Sequence, residues 1–224
     1  MQLAQLAQDW RGDIPPGGMM SERKHDGWRA LHFRGIDGQP RLWTRNGIPI
    51  EGTAHIMERL AAMERAAGEP MVFDGEFVVP DAGQGTLHAT KAWCERGWKL
   101  GGEVGAFHAF DCLSQAEWRA GGSDVPLYAR KARLAELFAA TEDHGDGWTW
   151  REGSRGREPP IAVYVVPDGW CFDAADVLDE ARRVWAVGGE GLMLKIADAP
   201  YRRNRNGAWL KVKRENVWKW RLAA

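Results

Sequence analysis

Between a Pro/Gly-rich entry, Pro15-Pro16-Gly17-Gly18, and an apolar run beginning at Ala30 lies Lys24-His25-Asp26-Gly27-Trp28-Arg29. These six residues set one candidate nucleophile, Lys24, beside an acid, a glycine turn and an arginine. Solvated surface turns often read the same way, so the downstream residues decide between the two meanings. Four more polar signals come in order: Arg45-Asn46-Gly47, Asp74-Gly75-Glu76, Glu190-Gly191-Leu192-Met193-Leu194-Lys195, and Trp209-Leu210-Lys211-Val212-Lys213. Phe110-Asp111-Cys112-Leu113 falls between the third and fourth signals of the whole set.

The residue types suit phosphate chemistry. Lys211 and Lys213 are two apart on an expected strand, so their side chains share a face. A pair of cations on one face matches the equatorial oxygens of a phosphoryl group in transfer. Glu190 and Glu76 are oxygen ligands of the type Mg²⁺ takes. Asp74 and Glu76 interrupt an apolar strand, and buried acids are expensive without partners. They belong either at a bulge or edge in water or aimed into a cleft.

Positioning these residues is the task of the surrounding elements. Gln2–Trp10 has Leu3, Leu6, Ala7 and Trp10 at helical spacing and predicts a short N-terminal helix. Met19–Arg23 is an extended approach to Lys24. Ala30–Arg34 and Pro40–Thr44 are strands joined by the turn Gly35-Ile36-Asp37-Gly38. Thr53 is the expected cap of a helix reaching Ala67, with Ile56, Leu60 and Met63 on one face. Met71–Val79 and Val104–Leu113 are strands, with a helix expected over Leu87–Leu100. Tyr128–Thr141 is an amphipathic helix with an apolar stripe of Leu134, Leu137 and Phe138. Asp143–Pro160 is a polar loop, and Ile161–Val166 a buried strand. Asp173–Val187 is a helix with Val177, Leu178, Ala181 and Trp185 inward. Leu192–Ile196 and Trp209–Val212 are the last strands, joined by the basic loop Tyr201–Gly207. Helices inserted between antiparallel-looking strand pairs make the class α+β rather than a regular βαβ alternation.

The 224 residues are 44% hydrophobic and 27% charged, a soluble globular composition. No apolar run approaches a membrane span of about 18 residues, and no signal peptide is evident. Cys94, Cys112 and Cys171 are odd in number and widely spaced, which does not suggest a disulfide framework or a zinc site and points to a reducing, cytoplasmic setting. Cys112 and Cys171 are expected to be buried small hydrophobes. From Lys195 onward nine Lys/Arg face two Asp/Glu, a net of +7 that leaves −8 on residues 1–194. That asymmetry suggests a local phosphate-facing surface.

In order and spacing the motif set resembles the covalent nucleotidyltransferases, and most closely the ATP-dependent DNA ligases, over roughly Met19 to Lys213. The resemblance implies a nucleotidyltransferase, ATP-grasp-like fold and soluble monomeric ligase chemistry in DNA replication, repair or recombination. Lys24 would attack the α-phosphorus of ATP, release pyrophosphate and hold AMP as a phosphoramidate. Deprotonating an ordinary lysine at pH 7 costs about 4–5 kcal/mol, and desolvation, neighbouring cations or a metal lower that figure. The candidate cations are Arg29, Lys211 and Lys213. The resemblance also places Glu190 at a Mg²⁺ (or Mn²⁺) ion and Glu76 at the metal or a ribose hydroxyl. Arg29 and Arg45 contact ribose and the AMP or nick phosphate, and Lys195 lies beside the nucleotide. Phe110 either stacks on adenine or packs in the core. Glu22, two residues before Lys24, would read the adenine amino group, which suits adenine better than guanine. Arg45, Arg202, Arg203 and Arg205 are the expected contacts to nicked DNA.

Family members generally continue into an OB-fold domain that orients pyrophosphate, but eleven residues follow Lys213 here. The expectation is one nucleotidyltransferase domain over 1–224 without an OB-fold domain, with self-adenylylation slower than sealing of a pre-adenylylated nick; the alternatives are a fragment of a longer chain or an OB-fold domain supplied by a partner chain. An RNA ligase shares the motifs. A nick- or end-binding module without turnover is the alternative of another class.

Overall fold

The computed structural model describes residues 2–80, 86–100, 104–141 and 162–219. The first half holds β1 (Leu6–Asp9), β2 (Met19–Lys24), β3 (Trp28–Arg34), β4 (Pro40–Thr44), α1 (Ala54–Ala67), β5 (Met71–Val78), α2 (Thr86–Glu95) and β6 (Ala106–Ser114). Then come α3 (Gln115–Arg119), β7 (Gly122–Ser123), α4 (Leu127–Ala139), β8 (Val163–Val165), β9 (Asp168–Cys171) and α5 (Ala174–Ala186). The last elements are β10 (Gly191–Lys195), β11 (Tyr201–Arg202), β12 (Arg205–Lys213) and α6 (Arg214–Lys219).

Two five-stranded sheets carry the architecture, ordered β1-β12-β10-β2-β9 and β4-β3-β5-β6-β8. Pairing is antiparallel except at two edges, where β1 runs parallel to β12 and β8 parallel to β6. The fold is therefore the expected α+β class. Period-2 alternation sorts each strand's side chains into two layers. Phe73, Phe77, Phe107 and Ala109 pack beneath the second sheet with Leu60 and Met63 of α1 and Leu134 of α4. Leu192, Leu194 and Val212 pack behind the first sheet against Val177 and Ala181 of α5. A third cluster, including Leu31, Val72, Tyr201 and Trp209, joins the two sheets and floors the space between them.

Several elements differ from the sequence expectation. Gln2–Trp10 is no helix, since Leu6–Asp9 is a strand on the free edge of β12, and Trp10 N–H bonds the Lys211 carbonyl at 3.0 Å. Its apolar residues serve two cores, Ala4 in the inter-sheet cluster and Trp10 behind the first sheet. A nine-residue helix is marginal alone, and the open edge of β12 supplies backbone partners that outweigh it. The helix expected through Leu100 stops at Glu95, followed by a single 3₁₀ turn over Gly97–Leu100. The basic loop is largely strand: Tyr201–Arg202 pairs with β7, and β12 already starts at Arg205. Thr53 makes no side-chain cap to α1, whereas Asp173 caps α5 by accepting from Asp176 N–H at 2.9 Å. The expected loop Asp143–Pro160 and Ile161 lie outside the described residues. Cys112 and Cys171 are buried as expected.

Candidate active site

Lys24 is the last residue of β2 and Trp28 the first of β3, so the stretch between them carries the chain from one sheet to the other. Gly27 makes the crossing tight. A Cβ there would stand 2.3 Å from the Phe77 carbonyl oxygen, closer than side-chain carbons come to backbone. Its N–H donates to Glu76 Oε1 at 3.2 Å. The crossing thus pins the nucleophile candidate beside the acid of β5.

Register explains the rest of the first sheet. Gly191 of β10 lies between Lys24 and Lys213, and Met193 between Glu22 and Lys211. Lys195 lies opposite Trp209. These residues occupy one face, while Leu192, Leu194 and Val212 occupy the other. Gly191 has φ +152, and a Cβ would lie 1.9 Å from the Val212 carbonyl oxygen. With no side chain between them, Lys24 and Lys213 both reach Glu190, at 2.5 Å to Oε2 and 2.5 Å to Oε1. Lys211 instead pairs with Asp9 of β1 at 3.1 Å.

On the second sheet Arg29, Glu76, His108 and Tyr164 form one cross-strand row. The register of β5 and β6 slips after Asp74, which leaves Phe110 as an extra residue. Such a bulge turns two successive side chains to the same side. Asp111 can therefore lock onto Arg130 of α4 (2.8 and 2.8 Å) while Phe110 projects into the cleft. The Arg29 guanidinium carbon lies 4.6 Å and Lys195 Nζ 4.3 Å from the Phe110 ring centre. Of the two acids in β5, Asp74 is an anchor: it accepts from Arg29 Nε and Nη2, both at 2.6 Å, and from the Tyr201 hydroxyl at 2.6 Å. Glu76 faces the cleft.

The cleft between the sheets has a volume of about 600 Å³. It brings together Glu22, Lys24, Arg29, Arg45, Glu76, Phe110, Lys195, Arg205, Lys211 and Lys213 of the residues expected from sequence. Glu190 touches it through Lys24 and Lys213. Arg45 stands exposed on the turn after β4, with Gly47 in a left-handed conformation (φ +79). Arg202 and Arg203 are not part of this wall. The Arg202 guanidinium bonds the Ser123 and Tyr201 carbonyls and Asp124, and that of Arg203 lies 4.7 Å over the Trp118 ring.

Burial and charge shape the protonation of the site. Burial pushes the Glu76 carboxyl up to about 7, against the opposing pull of Arg29 and Lys24. Burial and the Glu190 carboxylate raise Asp26. His25 stacks on His108 with centroids 4.1 Å apart, and Tyr164 continues the column at 4.9 Å. Burial drives both imidazoles down, His25 to about 3 and His108 to about 4, so the rings beside Lys24 are neutral. Glu190 and Glu76 offer carboxylate oxygens around the cleft, donors of the kind Mg²⁺ takes. Among the described residues no group of three or more His, Cys, Asp or Glu gathers as a metal site, so phosphate oxygens and water would complete the shell.

Sequence reasoning missed Lys131 and Asp168. Lys131 Nζ lies 2.6 Å from Glu22 Oε1 and 3.2 Å from Asp168 Oδ1, and Lys195 Nζ takes the other Glu22 oxygen at 2.6 Å. A signal was present: Lys131 lies four residues after Leu127 and three before Leu134, on the buried stripe of α4. A charged residue at such a position needs a buried partner.

The family described as ATP dependent DNA ligase domain matches residues 1–213. The chain belongs to this family. The DNA ligase of Haloferax volcanii is 30% identical over 207 residues, covering 86% of this chain and 30% of the relative. A probable DNA ligase of Kineococcus radiotolerans is 30% identical over 198 residues, covering 88% and 34%. This ligase-family chain therefore spans about a third of the length of these curated relatives. Among solved structures, the ATP-dependent DNA ligase from bacteriophage T7 in complex with ATP superposes with a TM-score of 0.70 at 14% identity, covering 95% of this chain and 69% of that one. The Chlorella virus DNA ligase-adenylate gives 0.63 at 15% identity, covering 94% and 68%. These two likenesses establish the fold. Among the described residues no helix is long and apolar enough to cross a membrane.

Proposed function

We propose that this chain is the nucleotidyl-transferring part of an ATP-dependent DNA ligase that seals 5′-phosphate/3′-hydroxyl nicks through a covalent Lys24–AMP intermediate. The observation that carries the reading is the joint contact of Lys24 and Lys213 with Glu190, beside Glu76 and in one cleft with Phe110. Lys24 Nζ forms a bond to the α-phosphorus of ATP as the bond to pyrophosphate breaks. The same phosphorus then passes to a 5′-phosphate, and a 3′-hydroxyl displaces AMP to close the strand.

Each side chain has a place in this scheme. An unprotonated Lys24 is the nucleophile, and Glu190 lies 2.5 Å from its Nζ, where it orients the side chain. Lys211 and Lys213, on one face of β12, offset negative charge growing on the phosphate oxygens. Phe110 and Met193 line the cleft and would face the base, and Glu22 accepts the adenine amino group. Mg²⁺ held by Glu190 and Glu76 would neutralise the phosphates when bound. Arg45 and Arg205 are the cleft arginines for nick phosphates, and affinity should fall steeply with salt.

The test is transfer of label from α-labelled ATP to the protein with Mg²⁺. Label that is lost in Lys24→Ala supports the scheme, and no label at any metal or ATP concentration sinks it. DNA and RNA nicks of one sequence, compared side by side, decide the substrate.

A further inference from the structure

We propose that Lys131 is a positioning residue for base selection: it fixes the Glu22 carboxylate as an acceptor for an exocyclic amino group. This rests on the adenine-nucleotide reading above and adds a residue outside every motif that carries that reading.

Glu22 and Asp168 are direct cross-strand partners on β2 and β9. Two like charges in that relation destabilise a sheet. Lys131 reaches both from α4, at 2.6 Å to Glu22 and 3.2 Å to Asp168, and donates to the Val166 carbonyl at 3.0 Å. An ammonium has three donors, and these contacts use all three. Lys131 is 6% and Glu22 3% exposed, so water does not compete for the pair.

The clamp is built from the opposite layer of the molecule. Leu134 and Leu137, about one and nearly two turns on from Lys131, pack beneath the second sheet with Phe73 and Cys112. The bidentate Arg130–Asp111 pair, one residue before it, anchors the same turn of α4 to β6. The Glu22 side chain is thus set by a helix fixed elsewhere on one oxygen, while its other oxygen lies 2.6 Å from Lys195 Nζ. An ionised carboxylate only accepts hydrogen bonds. Adenine offers a donor amino group where guanine offers a carbonyl oxygen. A fixed acceptor therefore favours adenine and leaves guanine facing a like partial charge.

The experiment compares label transfer from α-labelled ATP and α-labelled GTP in the wild type, Lys131→Met and Asp168→Asn, each with a thermal melt. In Lys131→Met the ATP-to-GTP ratio of labelling efficiency falls about tenfold or more, the scale of a lost charge-assisted hydrogen bond. The fall lies in a higher half-saturating ATP concentration, with the rate at saturation largely kept. Asp168→Asn, which leaves the Lys131–Glu22 contact in place, retains the ratio. A purely structural role for Lys131 would lower the melting temperature and leave the ratio alone. If Lys131→Met does not fold, Lys131→Gln keeps a donor in the slot, and the same fall, smaller, is expected. A folded variant with the wild-type ratio overturns the inference. Absence of label on the wild type with either nucleotide overturns the proposed function instead.

Discussion

Gly27→Ala tests whether the sheet-to-sheet crossing positions the nucleophile. The residue has no unusual φ, so the effect is steric alone. An added Cβ meets the Phe77 carbonyl oxygen at 2.3 Å and Val78 Cγ2 at 2.9 Å. Ordinary contact begins at 3.4 Å, so the crossing must move by about 1 Å to relieve the backbone clash. Phe77 lies within the central strand of its sheet and cannot retreat, so the crossing, with Lys24 attached, takes up the shift. Overpacking of this kind costs about 1–3 kcal/mol of stability. A misplacement of about 1 Å at a reacting group costs about a hundredfold in rate. The assay is the single-turnover rate of label transfer from α-labelled ATP, with thermal melting alongside. Gly207→Ala, where nothing lies within 4 Å of the new Cβ, is the control and should match the wild type. A folded Gly27→Ala that labels within about threefold of the wild type would refute the reasoning.

Two further outcomes concern stability. His25, His32 and His108 sit at about 3, 4 and 4 against an ordinary 6.5, all driven down by burial. Their stabilisation is fully present above pH 6.5 and is lost as pH falls below it, at about 1.4 kcal/mol per unit each. Glu76, held up to about 7 against 4.5, works the other way and regains stability as pH falls from 7. The net from these four groups is a loss of about 3 kcal/mol per unit between pH 6.5 and 4.5, read as a falling urea midpoint, and His108→Phe should flatten it. A midpoint that does not move between about pH 6.5 and 5.5 contradicts this. Asp111→Ala leaves Arg130, 2% exposed, without its bidentate partner and should destabilise by about 3–5 kcal/mol in urea unfolding. A loss under about 1 kcal/mol would show that the Val125 and Ala199 carbonyls suffice for that guanidinium.

Much of the scaffold was legible because its signals are local. The stripe of Ile56, Leu60 and Met63 marks α1, and the apolar runs mark β3 to β6 at nearly their observed bounds. The N-terminus reads as a helix because Leu3, Leu6, Ala7 and Trp10 have helical spacing, yet Leu3 and Ala7 pack with Trp209 and Tyr201, some two hundred residues away. Strand β9 was missed because Asp168-Gly169-Trp170-Cys171 lacks alternation, and its pairing with β2 alone makes it a strand. Arg202 and Arg203 read as basic loop residues, but strand pairing with β7 turns the Arg202 side chain to Asp124 and carbonyl oxygens.

By itself the sequence determined the residue types in the cleft and the common face of Lys211 and Lys213, since both come from motif order and strand period. The fold decided which charges meet. Cross-strand register joins Lys24 and Lys213 through Glu190, a bulge turns Phe110 inward, and a helix from the other layer sets Lys131 on Glu22. Such pairings join residues 109 and 166 positions apart. No local pattern encodes them, because they depend on which backbone atoms the sheets bring to one register.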